Sequence, residues 1–348
     1  PPCSTFLWAP LAFLDLRRRL GLVTINEGSG LLALAQSLPL FEDAAVPLAS
    51  EVAEALPEPS AGGGLVFAAA HKVGTSFVLN MCMVLNCEYH QNSEPVHYRS
   101  GRSKLGLYTA QLDPWATADH PQLVYSVAPG WQPPERARIV HWVRDPVATA
   151  ISAYRYHSNY RKEGWNVHGQ QCHLCDEAAH ATIFEVCAYR CSLYELLRGA
   201  SEQTGVALSA LHARLYMQSS LANLRIWLND PNVLHLSVDH VRVDREQTVR
   251  CMLEWLGVED EGLVQRLVEN DDRPAGASPE LRIDFRIATL HRLLYGHKTI
   301  GRFNNSLLVS FLEEHPAWGP QFRAAREALS AVFARQHRLA GCPLVAYG

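Results

Sequence analysis

The sequence contains a short turn whose residues are suited to holding a phosphate or sulfate group. The heptapeptide HKVGTSF (71–77) follows the apolar run 65–70 and opens an apolar segment that ends near Leu85. This pattern predicts a strand, a tight turn and a helix. Backbone N–H groups at a helix start carry partial positive charge, and a glycine lets the backbone approach an anion closely. Lys72 adds a full charge, and the two hydroxyl residues add donors.

The order of residues in this turn differs from that of the nucleotide-binding Walker A loop. That motif reads G-x-x-x-x-G-K-[ST], with the lysine directly after the second glycine. Here Lys72 precedes Gly74. Taken alone, the K-x-G-T-S pattern is equally compatible with an ordinary surface turn.

A second stretch places an arginine where an anion could be bound. Residues 138–143 (RIVHWV) read as a β-strand, and Arg144-Asp145-Pro146 follows directly. Asp145 suits a helix N-cap and Pro146 the first helical position. Arg144 is therefore expected at the carboxyl end of a strand, where open α/β sheets bind ligands, with Ser152 two turns into the next helix. The alternative is a surface Arg–Asp pair with a packed serine.

Together, the two stretches resemble the sulfotransferases that use 3′-phosphoadenosine 5′-phosphosulfate (PAPS). That family has a phosphosulfate loop of the form P-K-x-G-T-[ST] and a 3′-phosphate motif R-[DN]-P, with a serine eight residues after the arginine. This chain has His71 in place of the first proline and matches the spacing from Arg144 to Ser152. The resemblance covers about residues 62–305 and is closer to the carbohydrate, Golgi-type branch than to the cytosolic one.

The resemblance implies a set of residues that bind PAPS and its product PAP. A later segment, HKTIGRF (297–303), looks like the family loop R-K-G-x-x-G-x-W but lacks the first glycine. The segment 232–257 is similar to the family's strand, acidic residue (Asp239) and helix, with Gly257 at the end. The expected binding residues are Lys72, Val73, Gly74, Thr75, Ser76, Phe77, Arg144, Ser152, Lys298, Gly301 and Arg302. Lys72 is expected to neutralise the negative charge that develops on the leaving 5′-phosphate oxygen.

A sulfuryl acceptor must lose a proton, so the reaction needs a general base. Glu94 lies 22 residues after Lys72, in a segment similar to the E-x-H segment of some glycan sulfotransferases, with one extra residue before His97. The expectation is that Glu94 is the base and His97 lies beside it. His90 and His120 are the alternatives, and a solvent-exposed loop carboxylate is an equally weighted interpretation of Glu94.

The expected fold is a three-layer α/β/α domain with a central, mostly parallel sheet and a P-loop-like phosphosulfate-binding turn. Strand-like runs at 65–70, 123–127, 138–143 and 233–238 alternate with helical stretches, and 321–338 has helical spacing. We assign residues 1–60 to a mostly helical N-terminal segment and linker. Residues 61–348 form the catalytic domain, with a cysteine-rich insertion at 165–192.

Composition limits the partners and the compartment. The chain has 348 residues and a net charge of −4, which argues against a general nucleic-acid binder. No segment reaches the roughly 20 apolar residues of a membrane span. The expected partner is a small-molecule or glycan acceptor, and the oligomeric state is not predicted. We expect the Golgi lumen or secretory pathway if an N-terminal anchor has been removed, and the cytoplasm otherwise.

Four of the nine cysteines form a C-x2-C-x11-C-x3-C cluster, namely Cys172, Cys175, Cys187 and Cys191. This spacing is compatible with a structural zinc site, with two disulfides, or with free thiols. No catalytic metal is expected, because sulfuryl transfer needs none. Cys251 and Cys342 look isolated in the sequence.

The alternative to a sulfotransferase is a nucleotide-dependent, kinase-like phosphotransferase with a divergent phosphate loop. That interpretation requires the Walker A order of glycine and lysine, together with a carboxylate for magnesium. The turn at 71–77 supplies neither.

Overall fold

The structure is a computed structural model with full side chains. It describes residues 40–42, 45–59, 64–70, 72–85, 88–91, 122–125, 131, 133, 136–159, 183–184, 191–269, 305–345 and 347. All structural statements below concern these residues.

A parallel β-sheet forms the centre of the described chain. Its five strands are β1 (Leu65–Ala69), β2 (Glu88–Gln91), β3 (Gln122–Tyr125), β4 (Arg138–Trp142) and β5 (Val233–Leu236). They lie in the order β2-β3-β1-β4-β5, and every neighbouring pair is parallel. The strands that follow β1 in the chain lie first on one side of it and then on the other. The change of direction falls between β1 and β4, so their carboxyl ends flank a topological switch point.

Helices connect and surround these strands. They are α1 (Thr75–Val84), α2 (Pro146–His157), α3 (Leu193–Gly199), α4 (Glu202–His212), α5 (Arg214–Ile226), α6 (Val238–Val243), α7 (Arg245–Trp255), α8 (Glu261–Glu269), α9 (Ser306–Glu313) and α10 (Gly319–Ala340). A 3₁₀ turn occupies Ala49–Glu51. Among the described residues, no helix has the length and apolar character needed to cross a membrane.

Both faces of the sheet are buried. Alternate residues of each strand point to opposite faces, and apolar residues cover each face. On one face, Phe67, Val140 and Leu234 join an apolar cluster with residues of α1, α7 and α8. On the other face, the neighbouring residues Val66, Ile139 and Val233 cluster with Trp227. The apolar, β-branched character of these runs is therefore explained by burial on both sides.

Residues 40–42 and 45–59 pack against the long helix α10. The backbone of Phe41 exchanges two hydrogen bonds with the Gln321 side chain, at 3.1 and 2.9 Å. The buried Arg335 guanidinium donates to the carbonyl oxygen of Leu228 at 2.6 Å and to the Asn229 side chain at 3.0 Å. It also donates to the carbonyl oxygen of Ala53 at 3.3 Å. These contacts attach the segment to α10 and to the chain between α5 and β5.

The mixed α/β fold with a parallel sheet agrees with the sequence analysis. The strands β1, β3, β4 and β5 overlap the four predicted runs, and α10 contains the predicted helix 321–338. Strand β2 was not predicted, because its sequence EYHQ lacks the β-branched residues that mark strands. Asp244 caps α7 by accepting a hydrogen bond from the Gln247 amide at 2.9 Å, and Gly257 follows the helix with φ 72°.

The expectation that Cys251 and Cys342 are isolated is wrong. The two residues form a disulfide with a Cα–Cα distance of 4.9 Å, joining α7 to the chain after α10. Both cysteines are completely buried. The pairing closes a loop across a separation of 91 residues, and no local pattern in the sequence signals it.

Candidate functional site

The loops after β1 and β4 lie together at the carboxyl edge of the sheet. The two strands are direct neighbours, with Ala69 paired to Trp142 near their ends. The loop after β1 carries Lys72 and the loop after β4 carries Arg144, and Arg144 Nη1 donates to the Lys72 carbonyl oxygen at 3.1 Å. The structure therefore brings together the two sequence motifs that carry Lys72 and Arg144.

The loop after β1 turns sharply through two left-handed residues. Lys72 has φ 65°, which is uncommon for a residue with a side chain, and Gly74 has φ 102°. A Cβ atom at Gly74 would lie 2.8 Å from the Cβ atom of Val238, the first residue of α6. Position 74 therefore requires glycine for its backbone angle and for its close contact with α6.

Helix α1 begins immediately after this turn. The amides of Phe77 and Val78 donate to the Gly74 carbonyl oxygen at 2.9 and 3.2 Å. The N-terminal end of the 10-residue helix is thus placed beside the Lys72 loop, as the sequence predicted. The side chains of Thr75 and Ser76 lie outside the described part of the structure. The helix end and Lys72 supply positive charge to the same edge.

Arg144 is a half-buried cation whose hydrogen-bonding capacity is only partly used. Its Nε atom is buried and has no hydrogen-bond partner among the described residues. Burial lowers the pKa of the guanidinium from its ordinary value, while the nearby carboxylate of Asp239 opposes that shift. Arginine remains charged at neutral pH in spite of such a shift. A half-buried guanidinium at the carboxyl end of a strand is suited to holding an anion.

Helix α2 continues from Arg144 with the predicted cap. The Asp145 carboxylate accepts hydrogen bonds from the amides of Val147 at 3.1 Å and Ala148 at 3.3 Å, and Pro146 is the first helical residue. Burial raises the pKa of Asp145, and the guanidinium of Arg326, 3.6 Å away, opposes the shift. Ser152 is half-buried two turns into this helix.

The side chain of Lys72 makes a contact that sequence analysis missed. Its ammonium lies over the ring of Tyr156 in α2, with 3.1 Å between Nζ and the ring centroid. Tyr156 follows Ser152 by four residues, so both side chains project from one face of the helix. The contact joins residues from two separate loop–helix units, which explains why sequence spacing gave no sign of it.

A polar cluster follows β5 at the same edge. The Tyr347 hydroxyl donates to the Asp239 carboxylate at 3.0 Å, and Arg242 forms an ion pair with the other oxygen at 2.9 Å. Burial, and then the charge of Asp239, raise the pKa of Tyr347. Asp239 was expected from the family resemblance, whereas Tyr347 was missed because it lies 108 residues further along the chain.

The cavity beside Arg144 is small. It measures about 10 Å³, and its lining residues are Val73, Arg144, Pro146, Thr149, Tyr216, Met217, Ser220 and Leu221. That volume is close to the minimum for one water molecule. A nucleotide is far larger than this cavity. Any nucleotide contact made by these described residues would therefore lie on the surface at the carboxyl ends of the strands.

Several predicted site residues lie outside the described residues. They are His71, Glu94, His97, His120, Lys298, Gly301 and Arg302, and the side chain of His90 is also outside. The predicted general base and the predicted closing loop therefore remain predictions. Of the cysteine cluster, Cys172, Cys175 and Cys187 are outside, while Cys191 is buried and disulfide-bonded. No group of three or more metal-ligating side chains occurs in the described ranges.

Comparisons with protein-family models, with curated proteins and with solved structures found no match to this chain.

Proposed function

We propose that the chain is a PAPS-dependent sulfotransferase, an enzyme that moves a sulfuryl group from PAPS to a hydroxyl or amine of an acceptor. The observation that carries the proposal is the hydrogen bond between Arg144 and the Lys72 carbonyl oxygen, at 3.1 Å. It brings together the two motifs that resemble the family's phosphosulfate loop and 3′-phosphate motif. Their meeting at a switch point supports a ligand site there.

The finer description of the fold belongs to the same proposal. We infer a three-layer α/β/α domain in which the turn at 71–77 acts as a P-loop-like phosphosulfate-binding turn. Apolar clusters on both faces of the sheet support the three layers. The left-handed angles of Lys72 and Gly74, directly before α1, support the anion-binding turn.

Each residue of the turn has a distinct chemical role in this proposal. The amides of Val73, Gly74, Thr75 and Ser76, with the two hydroxyls, would hold the 5′-phosphate, whereas the Phe77 amide closes the turn by donating to the Gly74 carbonyl oxygen. Lys72 would neutralise the negative charge that develops on the leaving phosphate oxygen, an electrostatic contribution that is typically large in such reactions. PAPS supplies the activated sulfuryl group. Fixed donors placed before the reaction begins need no reorganisation when charge develops.

The 3′-phosphate fixes the donor in register and does not react. Arg144 and Ser152 would bind it, and Lys298, Gly301 and Arg302 would close over it. The position of Arg144 directly after β4, within hydrogen-bonding distance of the Lys72 loop, supports this assignment. Such a contact contributes to affinity for the donor and for the product PAP alike.

The acceptor hydroxyl or amine must lose its proton as its new bond to sulfur forms and the phosphate–sulfur bond breaks. Glu94, with His97 beside it, is the proposed base. A glycan is the proposed acceptor class, because the Glu94 segment is similar to that of glycan sulfotransferases. The Cys251–Cys342 disulfide supports an oxidising compartment such as the secretory pathway.

Titration calorimetry with PAP, PAPS and ATP tests the proposal. The full chain is titrated with each nucleotide, with ATP both with and without magnesium. Binding of PAP in the low-micromolar range without magnesium is the expected result, and 3′-dephosphorylated PAP should bind at least 10-fold more weakly. Arg144→Ala should weaken PAP binding about 10- to 150-fold, whereas Arg250→Ala, which removes a partly exposed charge in α7, should leave it unchanged.

Two outcomes would overturn the proposal. Magnesium-dependent ATP binding without PAP binding would instead identify a kinase-like phosphotransferase. Equal affinity for PAP with and without the 3′-phosphate would remove the Arg144 motif from the site.

A further inference from the structure

The position of the Lys72 ammonium over Tyr156 needs an explanation of its own. Tyr156 is 7% exposed, and the lysine nitrogen lies 3.1 Å from the centre of its ring. A cation over the face of a tyrosine is attracted by the ring electrons, and the attraction is stronger where water is excluded. This contact therefore restricts where the ammonium of Lys72 can go.

The backbone of Lys72 is restricted as well. Its carbonyl oxygen accepts the hydrogen bond from Arg144, and its φ of 65° lies in the left-handed region. Two residues later, Gly74 packs against Val238 so closely that no side chain would fit. The loop is thus held at three points. Arg144, after β4, bonds to the Lys72 carbonyl oxygen, and Val238, after β5, packs against Gly74. Tyr156, in the helix that follows β4, contacts the Lys72 ammonium.

We propose that Tyr156 is a positioning residue for Lys72, holding its ammonium at the carboxyl edge of the sheet through the face of its ring. A lysine side chain has four rotatable bonds and loses much conformational freedom when it is fixed. The face of the ring covers one side of the ammonium and so limits the positions that it can take. This inference rests on the proposed function for its catalytic meaning, but the contact itself can be tested independently.

Helix α2 gives this arrangement a specific geometry. Arg144 immediately precedes the helix, Ser152 lies two turns along it, and Tyr156 lies one turn beyond Ser152. One rigid element thereby connects the proposed 3′-phosphate residues to the lysine that serves the reacting end of the donor. Catalytic groups supported by a packed helix are held more accurately than groups on loops alone.

The test is competitive labelling of the Lys72 amine with trace acetic anhydride, quantified by mass spectrometry, in the full chain without nucleotide. Tyr156→Phe keeps the ring face and should leave the labelling rate within about 2-fold. Tyr156→Leu removes the face and should raise the rate about 5- to 30-fold, the range that a partly desolvated cation–π contact implies. Tyr154→Leu, another buried tyrosine of α2, is the matched control and should leave Lys72 labelling unchanged.

Equal labelling of Lys72 in Tyr156→Leu and in the parent protein would overturn the proposal. A rise of the same size in Tyr154→Leu would also overturn it, because it would show a general loosening of α2. If Tyr156→Leu does not fold, reductive ¹³C-methylation of the parent protein gives the answer. The Lys72 methyl signals, assigned with Lys72→Arg, should shift upfield over the ring, and random-coil positions would refute the contact.

Adding PAP separates this inference from the proposed function. If both are correct, saturating PAP should protect Lys72 from labelling in the parent protein and in Tyr156→Phe. A Tyr156 effect without PAP protection would retain the positioning role and reject the PAPS site. PAP protection without a Tyr156 effect would do the reverse.

Discussion

The guanidinium of Arg144 donates a hydrogen bond of 3.1 Å to the backbone carbonyl oxygen of Lys72. The two residues are 72 positions apart in the chain and come from neighbouring parallel strands. The bond links the two sequence motifs physically. Arg144 therefore has two expected roles, since it can contact an anion and also fixes the loop that carries the lysine.

Replacing Lys72 and Arg144 separately should give different kinetic defects. Lys72→Ala should lower turnover about 100-fold or more while PAP affinity changes much less, because the lysine acts on charge that develops in the transition state. Arg144→Ala should weaken PAP binding about 10- to 150-fold, the range for losing a charged hydrogen bond. Calorimetry gives the affinities, and transfer from radiolabelled PAPS to a glycan panel gives the rates. Unchanged PAP affinity in Arg144→Ala would contradict the assignment.

Gly74→Ala should destabilise the turn for two separable reasons. The new methyl group would lie 2.8 Å from the Val238 Cβ atom, and φ 102° is unfavourable for alanine. We expect a loss of about 1–3 kcal/mol in the free energy of unfolding. Adding Val238→Gly, which removes the Cβ atom that the new methyl group meets, should recover the steric part only when compared with Val238→Gly alone. Urea denaturation of the single and double variants measures both, and full recovery would show that backbone conformation contributes nothing.

The sequence predicted the strands β1, β4 and β5 and the loops after β1 and β4. These features depend on local patterns of apolar residues, caps and turn residues. It did not predict Tyr156 over Lys72, which depends on how α2 crosses the loop after β1. It also missed the disulfide between Cys251 and Cys342. Contacts between distant segments leave no periodic signal in the chain.

A buried histidine pair should make stability depend on pH. His235 Nε2 lies 3.2 Å from the Trp227 carbonyl oxygen, which requires a proton on that nitrogen. His235 Nδ1 therefore accepts from His141 Nδ1–H, 3.0 Å away in the neighbouring strand. Burial lowers the pKa of His235 to about 3 and holds that of His141 well below its ordinary value.

The direction of the pH effect follows from these lowered pKa values. Between pH 6.5 and about 3, the unfolded chain binds protons that the folded pair does not, so the free energy of unfolding falls as the pH falls. The loss is at most about 1.4 kcal/mol per pH unit for each histidine. Urea titrations at several pH values measure this slope. His235→Gln should reduce it, and an unchanged slope would exclude the pair as its origin.

Loss of the Cys251–Cys342 disulfide should destabilise the protein by about 2–5 kcal/mol, the range found for native disulfides. Cys251→Ser and the double replacement with Cys342→Ser should have similar stabilities in chemical denaturation. A reductant should destabilise both variants less than it destabilises the parent protein, because the parent loses this bond in addition to the disulfide of Cys191. Equal stability of the parent protein in oxidising and reducing buffer would show that the bond contributes little.

Glu94→Gln tests the proposed general base. The variant should retain PAP affinity within about 2-fold and lose about 100- to 10,000-fold in turnover, the usual contribution of general acid–base catalysis. The acidic limb of its pH–rate profile should also change. Turnover close to that of the parent enzyme would transfer the role to His97, His90 or His120.

The disulfide between Cys251 and Cys342 can form only after both cysteines have been synthesised. A ribosome adds about 5–20 residues per second, so the separation of 91 residues corresponds to about 5–18 s between the synthesis of the two cysteines. During that interval Cys251 has been synthesised but Cys342 has not. Because the chain contains nine cysteines, Cys251 can pair with a wrong one. An isomerase that reverses mispaired intermediates should therefore increase the yield of correctly paired protein.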